Sequence, residues 1–368
     1  MPVKTFLALG GYGGVGKALA RLMLKELDCN LIIAGRNLTS AIDFARLLNQ
    51  EFPGGRVSAR YADADNPESL EKAFTGIDMV MVLSTTPFRT KVIGQAALKN
   101  NADYLDILLQ KDAFRQLEEL ANKIESQART FISGAGFHPG LPAVFIQYAA
   151  PHFDKYIKAN IVMAMNARFE TPSSTVEIVR EMGAFDAEIF KYGEWRRAKM
   201  KDFLKYDFGP PFGPQSCAPL QMDELKPLPE KYGLVETGVY AGGFNKVFNY
   251  FVAPYVILIY NIWKEASVKH LCKVMYWAVN KFSPPEMRII FILLAEGLKD
   301  GKLRKIKLYV DTQNPYLFTA GPIVCCIKQY LQGSLKQKGL GLMGNMVDEK
   351  KIIQDLIALG IPIVMEYL

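Results

Sequence analysis

Near its start the chain reads Leu9-Gly10-Gly11-Tyr12-Gly13-Gly14-Val15-Gly16, which contains the spacing Gly11-x-Gly13-x-x-Gly16. Glycine in the first place permits a tight turn, in the second it lets a bulky anion reach the backbone, and in the third it lets a helix lie close to a strand. With Tyr12, Gly14 and Val15 between them, these glycines would present main-chain N–H groups at a helix start, which attract phosphate. The bland alternative is a glycine turn that binds nothing. A second signal follows in Ile33-Ala34-Gly35-Arg36-Asn37. Where an acid would hold a ribose 2′-hydroxyl, an arginine pairs instead with a 2′-phosphate. Arg36 therefore points to NADP rather than NAD, with Asn37 and Thr39 as helpers, unless Thr39 or Ser40 only caps the next helix.

Further polar residues stand behind short apolar runs. Asp63 and Asp65 fall where an adenine edge would lie, Ser84-Thr85-Thr86-Pro87 follows one run, and Tyr104-Leu105-Asp106 closes another. Gly134-Ala135-Gly136-Phe137-His138-Pro139-Gly140 is a rigid turn that carries His138. Hydride transfer between a nicotinamide and a carbonyl, imine or activated alkene calls for a proton donor near the acceptor. His138, with an ordinary pKa close to neutrality, is the first candidate. Asp106 and Tyr104 come next. Each of the three also has a structural reading, since position rather than residue type singles it out.

The elements that must position these residues alternate strand and helix through the first third. Val3–Leu9, Leu31–Ala34, Val57–Tyr61, Met79–Leu83, Tyr104–Leu108 and Thr130–Ser133 read as strands. Lys17–Leu27, Ala41–Phe52, Pro67–Phe74, Val92–Leu98 and one long run Asp112–Gln127 read as helices between them. Apolar strands separated by helices imply a parallel sheet covered on both faces, a doubly wound Rossmann α/β domain whose ligands lie at the carboxyl ends of the strands. The alternation stops near residue 134. A second, α+β substrate domain is expected over 135–320, with Ala159–Met165 as a strand and Ser174–Ala184 as a helix, and a C-terminal segment 321–368 packing back onto the body. Six prolines between Pro210 and Pro229 predict an extended surface loop.

Composition narrows the partners. The 368 residues carry 44 Lys and Arg against 37 Asp and Glu, a net charge of +7 that is no nucleic-acid signature. The five cysteines form no C-x-x-C pair and histidines number three, which disfavours a metal site. Cys325-Cys326 is expected in a buried element. Basic residues between Arg196 and Lys205 read as a solvated face or an anion-binding patch. No leader peptide is read at the start, so a cytoplasmic protein is expected. Val247–Trp263 contains no charged residue and is flanked by Lys246 and Lys264. It falls short of the roughly 20 residues that a spanning helix needs. Its aromatics suit a peripheral membrane contact, the lining of a greasy pocket, buried helices of the second domain, or a homodimer interface.

Gly10–Gly16, Ala34-Gly35-Arg36, the neighbourhood of Asp63, Tyr104-Leu105-Asp106 and Gly134–Gly140 together resemble the saccharopine dehydrogenase-like family of NADP-binding Rossmann oxidoreductases. So does the tail, from Gly341-Leu342-Met343-Gly344 through Val347-Asp348 into Ile352–Leu359 and Gly360-Ile361. The resemblance implies an NADP(H)-dependent oxidoreductase acting on a small-molecule or lipid-like substrate. Saccharopine-forming relatives carry an aspartate in a GxDPG turn where this chain has His138, and a cysteine after the fifth strand that it lacks. The resemblance therefore conveys the cofactor and not the substrate. Two other readings stay open: a membrane-associated enoyl-type reductase on a lipid-like substrate, and a non-catalytic, NADP-sensing interaction protein.

Overall fold

The structure, a computed structural model, describes residues 3–109, 111–166 and 168–368. Its contacts divide into two units, one formed by residues 1–141 with 316–355 and the other by 142–315 with 356–368.

The first unit is the parallel, doubly wound sheet. Its strands β1 (Lys4–Leu9), β2 (Cys29–Gly35), β3 (Val57–Tyr61), β4 (Met79–Val82), β5 (Asp103–Asp106) and β6 (Thr130–Ser133) alternate with α1 (Gly14–Glu26), α2 (Leu38–Glu51), α3 (Pro67–Ala73) and α4 (Thr90–Lys99). Phe6, Leu7, Leu31, Ile33, Val80 and Phe131 are fully buried, as strands covered on both faces require. Burying each side chain of this size contributes about 1.5–3 kcal/mol. The helices bury periodic stripes: Gly16, Leu19, Ala20, Met23 and Leu24 in α1, and Ala41, Phe44, Ala45 and Leu48 in α2. Among the described residues the sheet has seven strands, because Gly339–Leu342 from the tail pairs in parallel with β6. The order runs from that strand through β6, β5, β4, β1 and β2 to β3. The chain thus changes direction across β1, which pairs with β2 on one side and β4 on the other.

One element departs from expectation. The run Asp112–Gln127 is not one helix but two, α5 (Lys111–Glu118) and α6 (Ala121–Ser126). Leu120 N–H donates to the Leu117 carbonyl at 2.8 Å, a tightened turn that keeps Leu117, Leu120 and Ile124 all buried.

The second unit is built on a mixed sheet. Beyond α7 (Leu141–Ala149) come β7 (Lys155–Asn166), α8 (Val176–Ala184), β8 (Glu188–Lys191), β9 (Glu194–Arg197), β10 (Leu204–Asp207), β11 (Pro214–Leu220), α9 (Leu228–Tyr232) and β12 (Glu236–Ala241). After them stand α10 (Ala253–Trp263), α11 (Glu265–Phe282), β13 (Arg288–Lys299) and β14 (Lys302–Thr312). β7 pairs in parallel with β12 and antiparallel with β13, which continues antiparallel to β14. The proline-rich stretch is therefore not a plain loop. Pro214 opens β11, where a missing N–H costs little, and Pro229 lies in the first turn of α9, where no helical partner is needed. The basic stretch is also less free than its charge suggests, because Arg196 is clamped bidentately by Asp202 at 2.9 and 2.6 Å.

The tail is shared rather than a single closing segment. α12 (Pro315–Leu331), β15 (Gly339–Leu342) and α13 (Met343–Met346) join the first unit, α14 (Glu349–Ala358) runs out of it, and β16 (Ile363–Tyr367) pairs with β14 in the second. Cys325 and Cys326 are buried in α12, and burial pushes the Cys326 thiol up to about 12.

Candidate cofactor site and the edge beside it

The glycine loop lies where β1 ends and α1 begins. Gly10 N–H donates to the Ala34 carbonyl at 2.7 Å and Gly13 N–H to that of Gly10 at 3.0 Å, which folds the loop back over the end of β1. Gly16 must be glycine for space, since a Cβ there would stand 2.5 Å from the Gly11 carbonyl oxygen. Gly13 caps α1 without any side chain, so no side chain competes for the N–H groups of Gly14, Val15 and Gly16 at the helix start. Helix polarity makes this end attractive to phosphate.

At the end of β2, Arg36 is exposed and enters no ion pair or hydrogen bond among the described residues. A cation held in no local pair is free to meet an anionic ligand. Asn37 is already committed. Its Oδ1 accepts from Ser40 N–H at 3.0 Å as the cap of α2, and its own N–H donates to the Tyr12 hydroxyl at 3.1 Å. Thr39 is exposed in the first turn of α2. Tyr12 lies against Gly35, where a Cβ would fall 2.5 Å from its hydroxyl. Beside it a groove of about 370 Å³ is lined by Tyr12, Lys17, Ser40, Asp43, Phe44 and Leu47. Sequence reading passed over Lys17. Its signal is a lysine directly behind the last glycine, near the positive end of a helix, a place that favours anions over cations.

The other positions follow the strand ends. Asp63 closes a small turn by accepting from Asp65 N–H at 3.1 Å, and Asp65 pairs with Arg89. Ser84 and Thr86 share a hydroxyl hydrogen bond of 3.0 Å behind β4, with Thr85 exposed between them and Pro87 buried after them. Leu83 N–H, just before them, donates to the Leu9 carbonyl at 2.9 Å, so this segment abuts the glycine loop.

Asp106 has no exposed surface. It accepts from Leu108 N–H at 3.1 Å, Gly134 N–H at 3.0 Å and Ser133 Oγ at 2.9 Å. Burial raises its pKa, and these donors oppose the shift. The carboxylate thus ties the end of β5 to the turn after β6. Tyr104 is likewise fully buried and stacked on Phe131 at 5.1 Å, and burial followed by the Asp106 charge pushes its hydroxyl well above the ordinary value. Neither side chain is open to a ligand in this arrangement, because both are consumed in packing and bracing.

His138 sits differently. The turn that carries it is anchored by Phe137, stacked on Phe318 of α12 at 5.0 Å, and by Gly140 at φ +119°, a conformation that side chains rarely adopt. Its Nε2 is buried without a hydrogen-bond partner among the described residues. Burial lowers its pKa to about 4, so the ring is neutral near pH 7. An imidazolium acid is therefore not what this turn presents; a neutral ring nitrogen is.

Residues 6–133 match the saccharopine dehydrogenase NADP binding domain family. Carboxynorspermidine synthase from Vibrio cholerae is 24% identical over 379 residues, covering 90% of this chain and 89% of the relative. Carboxynorspermidine synthase from Vibrio alginolyticus is 21% identical, covering 95% and 94%. Among solved structures, apo saccharopine dehydrogenase (L-Glu forming) from Saccharomyces cerevisiae superposes with a TM-score of 0.71 over 99% of this chain and 100% of that one, at 14% identity. The last similarity is one of fold.

Proposed function

We propose that this chain, a saccharopine dehydrogenase-like NADP-dependent oxidoreductase, transfers hydride between the nicotinamide and a carbon–nitrogen double bond of a small amine-bearing substrate. The observation that carries the cofactor half is the open start of α1 together with Arg36, a cation with no partner among the described residues at the end of the neighbouring strand. The choice of acceptor, among carbonyl, imine and alkene, follows the two relatives, which are named as synthases of a carboxylated polyamine. Joining an amine to a carbonyl under reduction passes through a C=N bond.

NADPH, when bound, supplies the hydride. The chain's own residues divide the remaining work. The N–H groups of Gly14, Val15 and Gly16 hold the pyrophosphate, Arg36 the 2′-phosphate, and Lys17 adds a second positive charge beside Tyr12. Asp106 and Ser133 hold the turn 134–140 in place rather than meeting substrate. His138 serves as a neutral hydrogen-bonding group for the substrate, using the buried nitrogen left unpaired.

The test is NADPH oxidation measured with an amine and an aldehyde together, each alone, a ketone, and an enoyl thioester. Oxidation that requires amine and aldehyde together is expected. Oxidation with the enoyl thioester alone would favour a lipid-type reductase instead. Tight NADPH binding with no turnover across the panel would favour an NADP-sensing interaction protein.

A further inference from the structure

The uncharged stretch Val247–Trp263 does not form a buried pair of helices, nor a spanning one: among the described residues no helix is long and apolar enough to cross a membrane. A π-helical turn (Phe248–Val252) leads into α10, and this rod carries no charge and only two side-chain amides, Asn249 and Asn261. Phe248, Val252 and Val256 face inward onto Leu271, Met275 and Val279 of α11. The opposite stripe, Phe251, Tyr255, Leu258 and Ile262, keeps helical spacing and faces outward, with Phe251 73%, Leu258 59% and Ile262 58% exposed. Tyr250 and Trp263 flank it, 72% and 57% exposed. The outward stripe runs on to α11, where the Tyr255 hydroxyl meets His270 Nε2 at 3.0 Å and Trp277 is exposed.

Along residues 246–282 the exposed charges other than Glu265 are positive. Lys246, Lys264, Lys269, Lys273 and Lys281 are all exposed, and none is in an ion pair among the described residues. From Lys246 to Phe282 the only acid is Glu265, which is already held by Arg180 at 2.6 Å. Lys281 lies over the rings of Trp277 and Phe282.

We propose that this face docks on an anionic lipid surface. An exposed apolar stripe with tyrosine and tryptophan at its margins and lysines around it matches a segment lying in the plane of a membrane interface. The lysines fit acidic headgroups, each adding attraction that salt screens. A second copy of this chain fits worse, because a two-fold contact would bring the five lysines of each copy to one interface while the segment's one acid, Glu265, is already held by Arg180. The proposal concerns this face alone and does not depend on which acceptor is reduced.

The experiment is sedimentation of the full chain with phosphatidylcholine vesicles and with phosphatidylcholine–phosphatidylglycerol vesicles. Binding to the anionic vesicles is expected, weakened by added salt and reduced at least about tenfold by L258E/I262E. Both residues point outward, so NADPH protection and helical content should persist. Charges at Val256 would not serve, since that side chain is fully buried. If the double variant loses its helical signal, K269E/K273E carries the decision, with the same expected loss. Equal sedimentation of wild type and variants, or no binding to anionic vesicles, overturns the proposal. So does a wild-type dimer that L258E/I262E turns into monomers without any vesicle binding, which would assign the face to a second copy.

Discussion

At the residue scale, the proposed cofactor preference rests on Arg36, exposed at the end of β2 and in no ion pair among the described residues. An arginine there is the signal in the sequence for a 2′-phosphate, and its exposure leaves it available for one. Replacing it with aspartate should cost about 2 kcal/mol in NADPH binding and bring NADH to parity or better, read by fluorescence titration of both cofactors. An unchanged preference would remove the arginine from the account. His138, Asp106 and Tyr104 were singled out by position; the structure buries Asp106 and Tyr104 completely, and burial lowers the His138 pKa to about 4. His138 also makes a stability prediction. Its folded pKa of about 4 lies below the ordinary 6.5 of the unfolded chain. Between those values the unfolded chain binds more protons, so stability is full above the unfolded pKa and falls as pH drops toward the folded one, by on the order of 3 kcal/mol. H138Q should flatten that slope in urea melts between about pH 7 and pH 4. A slope equal to wild type would mean that the ring titrates freely.

At the element scale, strands announced themselves as short apolar runs between breakers, and Val57–Tyr61 and Thr130–Ser133 appear with the expected bounds. Tertiary demands hid the rest. Asp112–Gln127 keeps helical spacing throughout, with Leu117, Leu120 and Ile124 all buried, and the break at 119–120 leaves no trace in that spacing. Prolines at Pro214 and Pro229 looked like loop signals because sequence does not reveal whether a proline opens an element or interrupts one. Val247–Trp263 carries no charge on any side, so periodicity could not say which side meets the core. The packing of α1 on the glycine loop gives the element's own test. Gly16→Val places carbon against the Gly11 backbone, which cannot move aside as a side chain would. A loss of about 1–3 kcal/mol in stability and a larger loss of NADPH affinity are expected from thermal melts with and without cofactor. Wild-type affinity in the variant would show that the close approach is dispensable.

At the scale of the whole molecule, the α/β plan and the second α+β domain were readable from the change in alternation near residue 134. The destination of the tail was not, because strand pairing over such separations leaves no local trace. β15 completes the first sheet and β16 the second, so one C-terminal stretch stabilises both units. Ending the chain at Ala358 removes β16, exposes the edge of β14 and frees Tyr309 from Glu366. Such an edge invites pairing with other chains. The truncated protein should aggregate on heating at a lower temperature while NADPH still protects the first unit. Loss of NADPH protection together with the edge would mean that the two units do not fold separately. The claim on which all three scales converge is that the glycine cradle and its arginine select a 2′-phosphorylated dinucleotide. Titration of the wild-type chain with NADPH and with NADH, each read by protection from thermal unfolding, tests it most directly. Protection by NADPH at concentrations about tenfold or more below those needed with NADH is the predicted result. Equal protection by the two, or stronger protection by NADH, would contradict it.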